Sequence, residues 1–132
     1  MFSDITYQII GSSYAVFNTM GPDYSENDYG KALLYELIKK DLHVDAERVI
    51  AFKYGNMYLG KRRLDLVVEE KIIIELKVTE KQTGAHKTQL LAYLKSTGLQ
   101  LGLLIYFTST GVVVKRVINS PVPNLRNLHK SA

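Results

Sequence analysis

An acid and a base, Glu75 and Lys77, interrupt the otherwise apolar run IIIELKV. A charge inside such a run is costly unless it is paired or bound to a cation. Read as a strand, the run places both residues on one face, because side chains two apart point the same way. Asp65 lies ten residues earlier, in the segment LDLVV. If Glu69-Glu70-Lys71 is the loop of a hairpin, Val68 pairs with Ile72 and Asp65 falls opposite Glu75. Opposed residues have Cβ atoms about 4.5–5.5 Å apart. Two carboxylates that close repel unless a cation lies between them. A hard divalent ion such as Mg²⁺ takes one or two carboxylates with waters and phosphate oxygens. A slip of one residue in register would undo the arrangement. Lys77 then lies beside the ion, placed to orient or deprotonate an attacking water or to offset charge on a phosphate. The same three residues also suit a salt-bridge cluster on an exposed face, and both readings stand at this point.

The elements that must position these residues can be read from periodicity. Ile5, Ile9, Tyr14 and Phe17 suit a helix over residues 3–18, ended by Gly21-Pro22. Ser25 predicts an N-cap, with Asp28 three residues on in a near capping box. Leu33, Leu34, Leu37 and Ile38 extend that second helix from Glu26 to Lys40. Val49 to Phe52 predicts a strand, Tyr54-Gly55-Asn56 a turn, and residues 64–68 and 72–78 two more strands. A helix is expected over residues 85–95, closed by Gly98. Two strands, 101–107 and 112–117, follow, with Ser109-Thr110-Gly111 between them. The expected architecture is an α/β sandwich around a mixed sheet. The helix between Val78 and Leu101 is a crossover, so the strands it joins should run parallel. The division expected is one domain over residues 1–118 and a surface or partly disordered tail over 119–132.

Composition bounds the possibilities. The chain has 132 residues, 46% hydrophobic and 23% charged, the make-up of one globular domain with a core. Net charge is +4 with an isoelectric point near 9.2, which permits a polyanionic partner without demanding one. The absence of cysteine excludes disulfides and thiolate metal sites. No apolar run approaches the ~20 residues that span a bilayer, and MFSDITYQII lacks the features of a signal peptide. The expectation is a cytoplasmic protein without membrane contact.

Four segments in order, IIGSSYAVFNTMGP, SENDYGKALLYEL, LGKRRLDLVVEEKIIIELK and HKTQLLAYLKSTGLQLGLLIYF, resemble the GxxExxY proteins, a group within the PD-(D/E)XK nuclease superfamily. The resemblance runs from about Thr6 to Val117. It implies a restriction-endonuclease-like core, a mixed central sheet flanked by helices. It also implies roles: Asp65 and Glu75 as metal-binding acids, the backbone carbonyl of Leu76 as a further ligand, and Lys77 as catalytic lysine. Glu26 would reach the metal, through water in related proteins. Alternatively it is a first-turn acid favoured by the helix dipole. Gln89 would contact the scissile phosphate or its water. Tyr29 and His86 also match family positions, with packing or surface roles as alternatives; Tyr93, one helical turn after Gln89 on the same face, could touch the substrate or pack. Asp23 departs from the pattern where the family carries glycine, although aspartate tolerates left-handed turns better than most residues.

The function these readings imply is a Mg²⁺- or Mn²⁺-dependent nuclease that hydrolyses phosphodiester bonds of nucleic acid, with DNA the first expectation. Lys61, Arg62, Arg63, Lys81 and Lys87 could track a phosphate backbone. A homodimer would enlarge the small surface available to grip a duplex. The alternatives are a catalytically inactive nucleic-acid-binding or assembly module on the same fold, and a structural domain with an ionic cluster.

Overall fold

Three apolar patterns build three layers. The first belongs to two helices whose buried stripes face one side of a sheet. Helix α1, Ser3–Met20, buries Ile9 and Val16, and α2, Glu26–Lys39, buries Tyr29, Leu33 and Leu37. Gly21, at φ +76°, stops α1 with its N–H on the Phe17 carbonyl. Ser25 caps α2, its hydroxyl accepting from the Asp28 N–H at 3.1 Å as expected of an N-cap. Between them Asp23 takes φ +72°, the left-handed conformation anticipated for that position. The computed structural model describes residues 1–120 of the chain.

The middle layer is a five-stranded sheet in the order β1-β4-β5-β6-β7, with β1 Val44–Asp45, β4 Leu66–Val68, β5 Ile72–Val78, β6 Leu101–Phe107 and β7 Val112–Ile118. The β5–β6 pair is parallel and the other pairs are antiparallel. β5 and β6 are buried on both faces, as the continuous apolar runs IIIEL and LGLLIYF require. Ile72, Ile74 and Leu76 pack with α1 and α2, whereas Ile73 packs on the opposite side.

The third layer is α3, Gly84–Thr97, with an antiparallel ribbon of β2, Val49–Tyr54, and β3, Met57–Arg63. Leu90, Tyr93 and Leu94 of α3 close on Ile73, Leu104, Tyr106 and Val117, with Ile50 and Phe52 of the ribbon packed alongside. The approach is tight at Gly102. A Cβ there would stand 2.7 Å from a Leu90 methyl, so only glycine lets α3 settle on β6. The chain makes the parallel crossover through α3 as expected.

Some boundaries differ from expectation. Residues 57–63 form a full strand, β3, not anticipated because MYLGKRR lacks apolar alternation; its partner β2 holds it. The strand expected over residues 64–68 begins only at Leu66, so Asp65 precedes β4 instead of lying within it. α3 extends beyond the expected 85–95 at both ends. Of the expected tail, residues 121–132 lie outside the described residues. Among the described residues no helix is long and apolar enough to cross a membrane.

Candidate active site

The hairpin register sets the geometry. Leu66 pairs with Ile74 and Val68 with Ile72, the alignment expected from a three-residue loop. Continued one step, it brings Asp65 level with Glu75. Asp65 turns its carboxylate onto β5, and its Oδ2 accepts the Leu76 N–H at 2.8 Å. That N–H has run past the end of β4, and the aspartate substitutes for the missing ladder partner. In an antiparallel pair the N–H and C=O of one residue point to the same neighbour. The Leu76 carbonyl therefore also heads to the Asp65 edge.

Glu75 is 6% exposed, and its Oε1 is buried with no hydrogen-bond partner among the described residues. Burial pushes its carboxyl up to about 8, and the nearby charge of Asp65 adds to the rise. Burial also raises Asp65, against the Leu76 N–H and Lys77, which favour its ionised form. Two acids held together out of water, one with an orphaned oxygen, are costly without a cation. With the Leu76 carbonyl beside them, they form the oxygen donor set that suits a hard divalent ion. The chemistry of the donors fits the implied metal.

Lys77 shares the Glu75 face of β5, and its Nζ donates to Gln89 Oε1 at 3.4 Å. Three residues at helical spacing on α3 each meet this face of the sheet. His86 shares a 2.8 Å hydrogen bond with the Tyr106 hydroxyl, and Gln89 meets Lys77. Tyr93 lies near enough to Glu75 and Asp65 for their charges to raise its hydroxyl pKa, though burial is the larger cause. The ring of Phe52 stands edge-on to Tyr93 at 5.9 Å, and the Arg62 guanidinium lies 4.9 Å over Phe52.

Glu26 opens α2 and lines a cleft of ≈ 560 Å³ with Asp65, Leu76 and Arg63. Its charge is the weakest of those acting on Glu75. No three His, Asp or Glu side chains converge tightly among the described residues, so Glu26 stands back from the pair. Tyr29 packs: it is buried, stacks on Phe107 at 4.1 Å, and donates to the Gly21 carbonyl at 2.6 Å. His86 is likewise tied to the sheet. Tyr93 lies near enough to the acids to feel their charge, and Arg62 reaches towards it over Phe52. The signal for Tyr93 was its spacing, one turn after Gln89 on the same helix face.

A sequence profile of the PD-(D/E)XK nuclease superfamily matches residues 3–117, nearly all of the described chain. The chain belongs to the PD-(D/E)XK nuclease superfamily. Solved structures agree on the fold. This PD-(D/E)XK chain superposes on SSO0001 with a TM-score of 0.54 at 21% identity, covering 82% of this chain and 59% of that one. It thus spans under two thirds of that relative's length. It is also similar to LHK-Exo, an alkaline exonuclease from Laribacter hongkongensis, in complex with dAMP: TM-score 0.50, 12% identity, 82% of this chain and 76% of that one. No curated protein sequence matches it significantly. The fold of this superfamily member is restriction-endonuclease-like, a mixed sheet between helices, as its sequence implied.

Proposed function

We propose that the protein is a divalent-metal-dependent nuclease hydrolysing phosphodiester bonds of nucleic acid, with DNA the first substrate to test. One observation carries the reading: Asp65 and Glu75 meet at the end of a hairpin, with Glu75 Oε1 buried and without a partner among the described residues. Asp65, Glu75 and the Leu76 carbonyl would hold Mg²⁺ or Mn²⁺, with Glu26 reaching the ion through water. When bound there, such an ion supplies Lewis acidity to a phosphate and acidifies water at neutral pH.

The chain's own groups do the rest. Lys77, extended from the Glu75 face, holds the attacking water or offsets charge that develops on the phosphate. Gln89 fixes the Lys77 amine through its amide oxygen and presents its N–H₂ to the phosphate or water. Tyr93 closes the inner wall and excludes solvent from Glu75. The placement of Glu26 at the start of α2 and of Tyr29 beneath it supports membership of the GxxExxY group. A homodimer, and a cytoplasmic location for a chain without cysteine, complete the reading.

The test is cleavage of labelled oligonucleotides with Mg²⁺, Mn²⁺ or chelator. Lys77→Ala should lower the rate by about a hundredfold or more, the scale of losing one transition-state contact, with unchanged circular dichroism. Metal-independent cleavage, or activity indifferent to Lys77→Ala, would overturn the mechanism. Nucleic-acid binding without any divalent-ion binding would mark an inactive module.

A further inference from the structure

The β2–β3 ribbon forms a sheet of its own, paired with no other strand among the described residues. Its inner face near the root packs against α3 through Ile50 and Phe52. Beyond Phe52 the ladder shifts by one residue, and Gly60, at φ +143°, takes a conformation that favours glycine. Gly55, at φ +59°, occupies the first position of the two-residue turn, where a positive φ suits the twist of a hairpin.

The exposed surface of this ribbon has an unusual composition. Lys53, Lys61, Arg62 and Arg63 are all exposed, and residues 49–63 contain no acid. These four account for the net charge of +4, since the other thirteen basic residues of the chain are matched by thirteen acidic ones. Only Arg63 makes an ion pair among the described residues, with Glu47 at 3.3 Å. Large apolar side chains sit among the charges: Tyr54 is 75% exposed, Met57 58% and Tyr58 57%. An apolar tip alone would suit many partners. A tip whose aromatic rings alternate with unneutralised cations suits a polyanion that also carries flat apolar groups.

The ribbon is continuous with the acid pair. β3 leads through Leu64 into Asp65, and the Arg62 guanidinium lies over Phe52, which itself abuts Tyr93. The register turns Arg62, Phe52, Tyr54 and Met57 to the inner face, and Ala51, Lys53, Tyr58 and Lys61 to the outer. The inner face thus carries Arg62 near Phe52 and Tyr93 and the exposed ring of Tyr54 at the tip, while Lys53, Lys61 and Tyr58 line the outer face.

We infer that the ribbon is the grip for an unpaired nucleic-acid strand entering or leaving the Asp65–Glu75 centre. Arg62 on the inner face neutralises a phosphate near the centre, Lys53 and Lys61 meet phosphates on the outer face as the strand rounds the tip, and bases stack on Tyr54 and Tyr58. Bases within a duplex bury their faces against one another, whereas an unpaired strand presents them to aromatic side chains. This inference rests on the nuclease reading and names the form of substrate that site takes.

The experiment compares wild type with Tyr54→Ala/Tyr58→Ala and with Lys53→Ser/Lys61→Ser, all at exposed positions. Binding of a fluorescent single-stranded oligodeoxynucleotide and of the matching blunt duplex is followed by anisotropy, with Ca²⁺ present. Turnover of bis(p-nitrophenyl) phosphate, too small to reach the ribbon, reports on the centre alone. The expected result is tighter binding of the single strand by wild type and a loss of at least about tenfold in the tyrosine variant, the scale of stacking on exposed rings. The lysine variant should weaken binding and flatten its salt dependence. Turnover of the small ester should stay unchanged in both. If oligonucleotides are cleaved in a Lys77-dependent way but the ribbon variants bind as wild type, the grip is wrong and the nuclease reading survives. A preference for blunt duplex overturns the unpaired strand. Conversion of a dimer to a monomer by the tyrosine variant, with affinity per chain unchanged, would show the tip to be a contact between two copies. Failure of wild type to bind or cleave any nucleic acid removes both readings.

Discussion

At the scale of single residues, Glu75 ties stability to pH. Its folded pKa of about 8 lies above the ordinary 4.5. Below the lower value folded and unfolded chains both hold the proton. Between the two values the folded protein retains it while the unfolded chain releases it, so stability falls as pH rises. The slope approaches about 1.4 kcal/mol per pH unit at most. Melting of the metal-free protein should therefore move to lower temperature from pH 5 to pH 8 by the equivalent of a few kcal/mol at most. Glu75→Gln should remove most of that slope, and a divalent ion that binds the ionised form should raise the melting point most at high pH. Parallel melting curves for wild type and Glu75→Gln across this range would show that Glu75 ionises freely. Asp23 offers a second test. It occupies a left-handed conformation in which a side chain costs about 1–2 kcal/mol. Asp23→Gly should stabilise the protein by roughly 1 kcal/mol in denaturant titration, less the greater freedom glycine has when unfolded. The sequence revealed Glu75 and Lys77 because charge interrupts an apolar strand. The role of Tyr93 was less legible, since a tyrosine on an apolar helix face looks the same whether it packs or borders a site.

At the scale of elements, the parts that could be read were those whose own residues decide them. β5 opens on three isoleucines and β6 is an apolar run of leucine, isoleucine and aromatic residues broken only by Gly102, and their limits follow from that. α2 is announced by Ser25. β3 was hidden because its residues are polar or exposed and the strand exists through pairing with β2, a tertiary circumstance no local pattern carries. The start of β4 was misjudged for a related reason: Asp65 has strand neighbours, but its side chain takes the place of a backbone ladder partner. The seat of α3 was also invisible, since the decisive residue is Gly102 on another element. Gly102→Ala should force Leu90 outward at a cost of about 1–3 kcal/mol. Because α3 also bears Gln89 and Tyr93, cleavage should fall more than the loss of folded protein explains. Thermal melts alongside single-turnover rates would check this, and a variant with wild-type stability would show that α3 has room to adjust.

At the scale of the whole molecule, one sheet serves two cores. α1 and α2 pack on one face, and α3 with the root of the ribbon on the other. β5 and β6 contribute to both, so neither core can be lost without exposing the other's strands. Residues 1–118 should therefore unfold in a single transition, with calorimetric and van't Hoff enthalpies in agreement. Two resolved transitions would mean that the halves hold independently.

Phe52 marks a boundary on the hairpin with different freedoms on either side. Distal to it, insertions and deletions leave the rest of the molecule untouched, so natural variation in length and side chain should concentrate there. Proximal to it, Ile50 and Phe52 pack against α3 and Phe52 abuts Tyr93, so cutting the hairpin back past Phe52 would admit water beside Tyr93. Proteins of this shape can therefore diversify what they hold by editing a few distal codons, while the chemistry behind Phe52 stays as it was.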